Sequence, residues 1–355
     1  MAVKAQELVA WAWPALVLGG IVTAIVLAAG LLSPSTQRVV TEALIKLSVV
    51  VGLYIFAGNS GVLSFGHIAF MGIGAYVASW LVIPPETKEV LLPGLPEVLA
   101  RAQWPPTFGA ATAGAVAAAF ALVVGWPLMR LNGIAASIGT FAVLAAVNAV
   151  LSNWTSMTGG QRSLYGLPPY TDRFVALAWA LAALAAAWAH QQSRSGFRLR
   201  GSREDETAAR AAGVNVQRDR LVAFVIGAFF VGAAGALYAH FLGVVVAREF
   251  FLKLTFITIA MLVIGGIGSL AGAVAGVIVV TVLSDVLRHV ERGVDLGFVQ
   301  VPSRPGLQEV GLAILMLAIL IFRPRGLTGG REIAVPRFLR RPWAPAPAIQ
   351  ERSRG

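Results

Sequence analysis

The chain has 355 residues and a net charge of +11, and 57% of its residues are hydrophobic while only 13% are charged. An average soluble chain carries about 25% charged residues, so too little charge is present here to cover a soluble surface. The absence of cysteine excludes disulfides and thiolate metal sites. The basic charge lies in two blocks beside apolar segments, without interleaved aromatic residues, which favours membrane topology over nucleic-acid binding.

Ten apolar runs follow one another along the chain. A membrane helix needs about 20 apolar residues, and lipid leaves the backbone few alternatives to a helix. The sequence therefore predicts an all-α, polytopic membrane protein with roughly ten transmembrane helices and short broken or hairpin segments. The predicted spans are Trp11–Leu32, Val39–Ala57, Leu63–Ile83, Thr107–Met129, Gly133–Trp154, Phe174–His190, Leu221–Leu242, Leu254–Gly266, Leu270–Leu287 and Gln308–Phe322.

The distribution of arginine predicts the orientation. The stretch 191–220 holds seven arginines and the segment after Phe322 holds eight. Basic residues collect on the cytoplasmic side, which places both termini inside and the Pro-rich loop 84–106 outside. We predict a membrane domain over 1–327 and a disordered, basic, Pro-rich cytoplasmic tail over 328–355. For the tail, a solvated stop-transfer segment is favoured over a segment that binds anionic lipid.

Glycines mark the points where the apolar pattern changes. Gly58, Asn59, Ser60 and Gly61 are too few for an ordinary loop between two spans, which indicates a tight hairpin or a helix broken near the membrane. Small residues at spacings of four allow helices to approach closely. We therefore predict a packing role for Gly232, Gly268, Gly272 and Gly276.

His67 is one of only four histidines and lies in an apolar run. An ionisable group in a membrane suggests a proton relay, and a stand-alone secondary transporter or channel for a small polar solute is the corresponding alternative function. A neutral imidazole that bonds a neighbouring helix is favoured, because Glu42, Asp285 and Glu309 all lie near the ends of the predicted spans. The residues predict no catalytic group, metal site or cofactor, and no G-K-[ST] phosphate loop occurs.

The long polar loop contains a short helix pattern. Ser202 is a candidate cap, Glu204 and Glu206 are acids suited to a first turn, and alanines follow up to Gly213, a helix stop. Such a helix fits a groove on a partner or serves as a solvated spacer, and the residues alone do not separate the two.

Several motifs in order carry a family resemblance. The stretch GNSGVLSFGHIAFMGIGAY is similar to G-x-x-G-Q-L-S-L-G-H-A-A-F-F-G-I-G-A-Y, and the loop REDETAARAAGVNV is similar to R-E-N-E-x-A-A-x-x-x-G-I-N-V. The later motifs AGALYAHFLG, IGGIGSLAG and FRPRGL also match. From about Leu47 to Leu327 the chain thus resembles the permease subunits of ABC importers for branched-chain amino acids, of the LivM-like kind.

The resemblance implies a passive conduit in the plasma (inner) membrane rather than an enzyme. It implies a second permease subunit (LivH-like or a second copy), two cytoplasmic ABC ATPases, an extracytoplasmic solute-binding protein and surrounding lipid as partners, with no nucleic acid. The ATPase-coupling residues would be Glu204, Glu206, Ala208, Ala209 and Gly213. The substrate-path residues would be Ser64, Gly66, His67, Gly72, Thr140, Asn153, Thr158, Gly159 and Gly160.

One departure from the family pattern concerns the substrate. Where the family often reads T-L-A-F-G-E-I-x-R-x-x-x-x-N-W-D-S-L-T-G-G, this chain reads TFAVLAAVNAVLSNWTSMTGG, with Ala145 and Asn148 in place of the usual Glu and Arg. If that pair orients a zwitterion, the substrate of this chain differs from leucine, isoleucine or valine.

A purely structural membrane scaffold is the least favoured interpretation of the chain.

Overall fold

The computed structural model describes residues 2–291, 306–334 and 336. Within them the helices are α1 (Ala2–Ala29), α2 (Pro34–Ser60), α3 (His67–Val82), α4 (Pro85–Leu91), α5 (Glu97–Ala100), α6 (Pro106–Leu128), α7 (Gly133–Asn153), α8 (Thr155–Thr158), α9 (Arg173–Gln192), α10 (Arg194–Glu204), α11 (Glu206–Ala211), α12 (Val216–Leu242), α13 (Leu252–Gly265), α14 (Leu270–Glu291) and α15 (Leu307–Phe322). Two-residue strands β1 (Leu164–Tyr165) and β2 (Val244–Val245) pair antiparallel. A 3-10 turn spans Ala247–Phe250.

The described residues confirm the all-α, polytopic prediction. Seven helices are long and apolar enough to cross a membrane by length and composition, and α3, α13 and α15 are shorter apolar helices. All ten predicted runs correspond to these ten helices. The loop predicted over 84–106 contains α4 and α5, in which buried Lys88 donates from Nζ to the carbonyl of Leu99 at 3.0 Å.

Helix α12 is the centre of the bundle, because it packs against α2, α3 and α6. Small residues make the contact with α3 close: a Cβ on Gly74 would lie 1.9 Å from the carbonyl oxygen of Gly232. On the other side of α12, a Cβ on Gly232 would lie 2.4 Å from the Cβ of Ala117 in α6. Backbones that approach this closely leave no room for a side chain at Gly74 or Gly232.

Helix α14 packs against α13 in the same manner. A Cβ on Gly276 would lie 1.8 Å from the carbonyl oxygen of Met261, and one on Gly272 would lie 3.0 Å from the carbonyl oxygen of Gly265. Gly268, which the spacing places on the same stripe, lies instead in the turn before α14. Its nearest neighbour is Gly330, so its spacing of four does not reflect a helix face.

The predicted start of the third span is wrong. Helix α2 runs on to Ser60 and ends at Gly61, whose φ of +72° is left-handed, and α3 begins only at His67. Residues 62–66 are not helical. The apolar run from Leu63 predicted a helix because hydropathy cannot distinguish an extended apolar segment from a helical one.

The connections gather at two ends of the bundle. At one, which we call the basic end, Arg203 Nη1 donates to the carbonyl of Gly58 at 2.9 Å, and Arg220 Nη1 donates to Asn132 Oδ1 at 2.8 Å. At the other, the backbone N–H of Gly94 donates to the carbonyl of Ser156 at 3.0 Å. The basic loop and the first residues after α15 share the basic end, as the predicted topology requires.

The predicted tail starts at residue 328, and its described part, 328–334, contacts the bundle. The backbone N–H of Thr328 donates to the carbonyl of Gly265 at 3.1 Å, and Glu332 bonds the N-terminus of α14. The rest of the predicted tail, 335 and 337–355, lies outside the described residues. The division into domains stays a prediction.

Candidate functional site

The broken segment 61–66 lies against helix α7. Ser137 Oγ donates to the carbonyl of Leu63 at 2.7 Å, and the backbone N–H of Phe65 donates to Thr140 Oγ1 at 3.1 Å. A Cβ on Gly66 would lie 2.7 Å from the carbonyl oxygen of Thr140. A non-helical segment lacks the regular backbone bonds of a helix. Ser60 and Ser64 bond the backbone N–H groups of Val62 and Gly66, and side chains of α7 bond the carbonyl of Leu63 and the N–H of Phe65.

His67 begins α3 directly after this break. Its Nδ1 lies 2.8 Å from Ser64 Oγ, and its ring lies 5.3–5.9 Å from the rings of Phe56, Phe70 and Phe224. Among the described hydrogen bonds and ion pairs, none joins His67 to a carboxylate. The histidine therefore sits in an aromatic pocket, and its contacts supply no chain of titratable groups for a relay.

The predicted path residues occupy two places. Ser64, Gly66, His67 and Thr140 come together at the break, as described above. Thr158 lies towards the opposite end, where its Oγ1 donates to the carbonyl of Leu151 at 2.8 Å. The other members of the outer group are Asn153, which is exposed, and Gly159 and Gly160, which both have positive φ.

Gly72 lies between the two groups on α3. A Cβ there would lie 3.1 Å from Leu151 Cδ1 in α7 and 3.2 Å from the Cβ of Phe250. Its position is therefore a contact between α3, α7 and the 3-10 turn. The path residues predicted from the sequence do not form one cluster in this chain.

Helix α7 leaves most of its surface uncovered. In the apolar stretch of α7 only 22% of the residues are buried, against 67% in the corresponding stretch of α12. Ala145 and Asn148 lie half-buried on this helix, and Asn148 Nδ2 donates to the carbonyl of Ala247 in the 3-10 turn at 3.1 Å. Asn148 thus ties α7 to its neighbour by a neutral hydrogen bond.

The loop at the basic end contains two helices rather than one. Ser202 is not the cap of the predicted helix: it is buried within α10 and donates from Oγ to the carbonyl of Leu199. Asp205 caps α11 instead, since its carboxylate accepts from the backbone N–H of Ala208 at 2.9 Å. Glu204 ends α10, so the first predicted acid lies before the break between the two helices.

Gly213 ends the loop helix as the sequence predicts. Its φ is +81°, a left-handed conformation that L side chains rarely adopt, and a Cβ would meet nothing within 4 Å. The backbone N–H of Val214 donates to the carbonyl of Ala209 at 3.0 Å, which completes the helix end. Ala208 and Gly213 are exposed.

Glu206 connects α11 to the bundle. Its carboxylate pairs with Arg210 at 2.7 Å and with Arg220 of α12 at 2.9 Å. Burial raises the pKa of Glu206, but the hydrogen bonds and charges of the two arginines outweigh burial and hold its pKa below the ordinary value. Arg220 also bonds Asn132, so one buried guanidinium joins α11, α12 and the start of α7.

Two features were missed at the sequence level. Glu42 and Lys46 form an ion pair at 2.6 Å on α2 and line a small cavity with Asp285 and Arg288 of α14; their helical spacings were the available signal. Glu332 accepts hydrogen bonds from Tyr54, Gln191 and the first residues of α14. In the sequence, the role of Glu332 was indicated only by its being an isolated acid in a basic segment.

Comparison with known proteins identifies the family. A profile described as "Branched-chain amino acid transport system / permease component" matches residues 35–321. The chain is 26% identical over 341 residues to the high-affinity branched-chain amino acid transport system permease protein LivM of Escherichia coli (strain K12), covering 84% of this chain and 71% of that protein. No solved structure matches the chain.

Two further relatives have related names. The permease protein LivH of E. coli (strain K12) is 27% identical over 314 residues, covering 80% of this chain and 91% of its own length. A probable LivM of Methanocaldococcus jannaschii is 29% identical over 140 residues, covering 39% of this chain and 40% of its own. With the profile match over most of its length and the helices to cross a membrane, this multi-pass protein belongs to the permease-component family of branched-chain amino acid transport systems.

Proposed function

We propose that the chain is one transmembrane permease subunit of an ATP-driven ABC importer for branched-chain or related amino acids. It forms half of the translocation path in the plasma (inner) membrane and carries no ATPase activity itself. Its partners are a second permease, either LivH-like or another copy, two cytoplasmic ATPase subunits and an extracytoplasmic binding protein. The proposal extends the family membership to mechanism.

The proposal rests on the way in which α11 is attached to the bundle. This short helix exposes small residues, Ala208 among them, at the basic end. Its Glu206 is paired with buried Arg220 on the central helix α12. Hydrogen bonds between a carboxylate and arginines are shorter and stronger than those between neutral groups. A movement of α11 is therefore transmitted to α12 through Arg220.

A second connection leads from the loop to the broken segment. Arg203 of α10 donates to the carbonyl of Gly58 at 2.9 Å, beside the left-handed Gly61. The backbone that follows Gly61 is bonded to α7 by Ser137 and Thr140. We infer that movement of the loop shifts this segment and opens or closes a path along the uncovered face of α7.

The test is Gly213→Arg, with Gly213→Asn as its matched control. Arginine is strained at a φ of +81°, where an L residue costs about 1–2 kcal/mol, and it also projects bulk from the exposed end of α11. Asparagine tolerates the left-handed region and stays small. We expect the arginine variant to insert normally, lose co-purification of the ATPase, and import leucine at least about tenfold more slowly, which corresponds to ~1.4 kcal/mol of coupling.

The two variants separate the possible failures. Co-purification and uptake near wild type in Gly213→Asn would show that the loop tolerates substitution and that bulk and strain cause the loss. Normal uptake by Gly213→Arg at normal protein level would overturn coupling through α11. Co-purification of an ATPase with no uptake of any branched-chain amino acid would overturn the substrate and leave the coupling intact.

A further inference from the structure

A groove opens between α6 and α12 at the basic end of the bundle. Its volume is about 590 Å³. The side chains that line it are mostly apolar, and Leu122, Trp126, Leu221 and Ile226 are among them. Two arginines also line it: Arg130, which lies in the turn after α6, and Arg218, which lies in the first turn of α12.

The groove is short enough to lie within one leaflet of a bilayer. On one side the lining runs from Leu122 on α6 to Arg130 in the turn that follows this helix, and on the other from Ile226 back to Arg218 on α12. The helical parts of the two stretches rise roughly 9 and 12 Å at 1.5 Å per residue, less than half of the hydrocarbon core of about 30 Å. Both stretches have their basic residue at the same end, so the groove is apolar in depth and cationic at the membrane surface.

The two arginines have no partner within the part of the chain that the structure describes. Arg220, two residues further along, is paired with Glu206, and Asp219 is bonded by Ser195 and Arg198. No acidic residue lines the groove. Arg130 and Arg218 are both exposed, so their charges are available to an anion from the membrane surface.

A direct hydrogen bond joins the two walls of the groove. Gln217 Nε2 donates to the carbonyl of Trp126 at 3.2 Å, which joins the C-terminal turn of α6 to the N-terminal turn of α12. The indole of Trp126 is 57% exposed, a position that tryptophan favours at a membrane interface. The two helices that form the groove are therefore bonded to each other, and one of the lining residues is a tryptophan suited to the membrane interface.

We propose that this groove binds one anionic phospholipid of the cytoplasmic leaflet. The phosphate lies between Arg130 and Arg218, and an acyl chain lies along Leu122, Val222 and Ile226. Basic pockets between membrane helices on the cytoplasmic side suit anionic headgroups, and each arginine near the surface contributes about 1 kcal/mol. Two arginines correspond to roughly a 30-fold preference for an anionic over a zwitterionic lipid.

The test uses the purified, delipidated full chain in mild detergent, titrated with phosphatidylglycerol or phosphatidylcholine and followed by native mass spectrometry. We expect one phosphatidylglycerol to bind per chain, about 30-fold more tightly than phosphatidylcholine. The variant Arg130→Gln/Arg218→Gln should lose this preference. Val222→Trp, which fills the groove and leaves both arginines in place, should reduce occupancy as well.

The matched control is Arg194→Gln/Arg331→Gln, which removes the same charge from exposed positions at the same end but outside the groove. Phosphatidylglycerol binding should be unchanged in this variant. Equal binding of the two lipids to the wild type, equal loss in the control and groove variants, or full displacement by equimolar inorganic phosphate would each overturn the proposal. None of these measurements depends on an ATPase or on transport.

Discussion

Single glycines set the distance between helices in this bundle. Gly74 and Gly232 bring the backbones of α3 and α12 into direct contact, since a Cβ on Gly74 would lie 1.9 Å from a carbonyl oxygen. The atoms that the added Cβ atoms would meet are the backbone of Gly232 and the Cβ of Ala117, and neither can rotate away. In a membrane, where apolar burial between helices gains little, close backbone packing of this type is a main source of association energy.

The first prediction concerns this contact. Gly74→Ala should force α3 and α12 apart, and overpacking of this kind costs about 3 kcal/mol. The measurement is the midpoint of thermal unfolding in detergent. Gly20→Ala is the control, because Gly20 is an exposed helical glycine with nothing within 4 Å. Equal midpoints for the two variants would contradict the packing argument.

The break between α2 and α3 interrupts two apolar helices with a non-helical segment. Gly61 ends α2 in a left-handed conformation, and the residues before His67 are bonded by Ser137 and Thr140 of α7. A non-helical segment supported by a helix with an uncovered face can move without unfolding a helix. We infer that this element, rather than any one residue, shapes the path.

The second prediction tests that support. Thr140→Val leaves the backbone N–H of Phe65 without its acceptor, and an unsatisfied buried donor costs about 1–3 kcal/mol. Thr140→Ser retains the hydroxyl and should behave as wild type. Uptake and thermal midpoint should both fall in the valine variant alone.

A matched control is Thr112→Val, whose hydroxyl bonds only its own helix at Phe108 and Gly109. If Thr140→Val matched Thr112→Val in both measurements, the segment would not depend on the Thr140 hydroxyl.

At the scale of the whole molecule, one carboxylate joins elements far apart in sequence. Glu332 accepts from the backbone N–H groups of Leu270 and Ala271 at 2.7 and 3.2 Å and from Gln191 at 3.1 Å. It is also bonded by Tyr54 at 3.3 Å. The positive end of the α14 dipole favours a carboxylate there, so the segment after α15 closes the basic end over α2, α9 and α14.

The third prediction is graded. Glu332→Ala should lower stability by about 1.5–3 kcal/mol, the range for hydrogen bonds to a charged group, and Glu332→Gln should lower it less because one acceptor oxygen stays. Thermal unfolding with hydrogen exchange at the first turn of α14 measures both effects. Glu89→Ala, a change at an exposed carboxylate, should have no effect, and a loss of the same size there would show a nonspecific response to charge.

Much of the fold was predictable because a bilayer turns hydropathy into a local signal: most of a sufficiently long apolar run is helical, whatever its neighbours. The ten helices and the stop at Gly213 followed from residues close together in the chain. The start of the loop helix did not, because Ser202 and Asp205 are both capable caps and only tertiary packing buries Ser202 within α10.

The sequence by itself determined the class of the protein, the number of its apolar helices and, through its motifs, the family. Tertiary structure alone decided which groups meet: Thr140 with Phe65, Glu206 with Arg220, and Glu332 with three helices. The helices are apolar on nearly every face, so hydrophobic periodicity carries no information about their neighbours. Partner choice then depends on backbone proximity at glycines, whose spacing of four marks a close contact but not the partner helix. It also depends on a few polar bonds between distant residues, which no local pattern encodes.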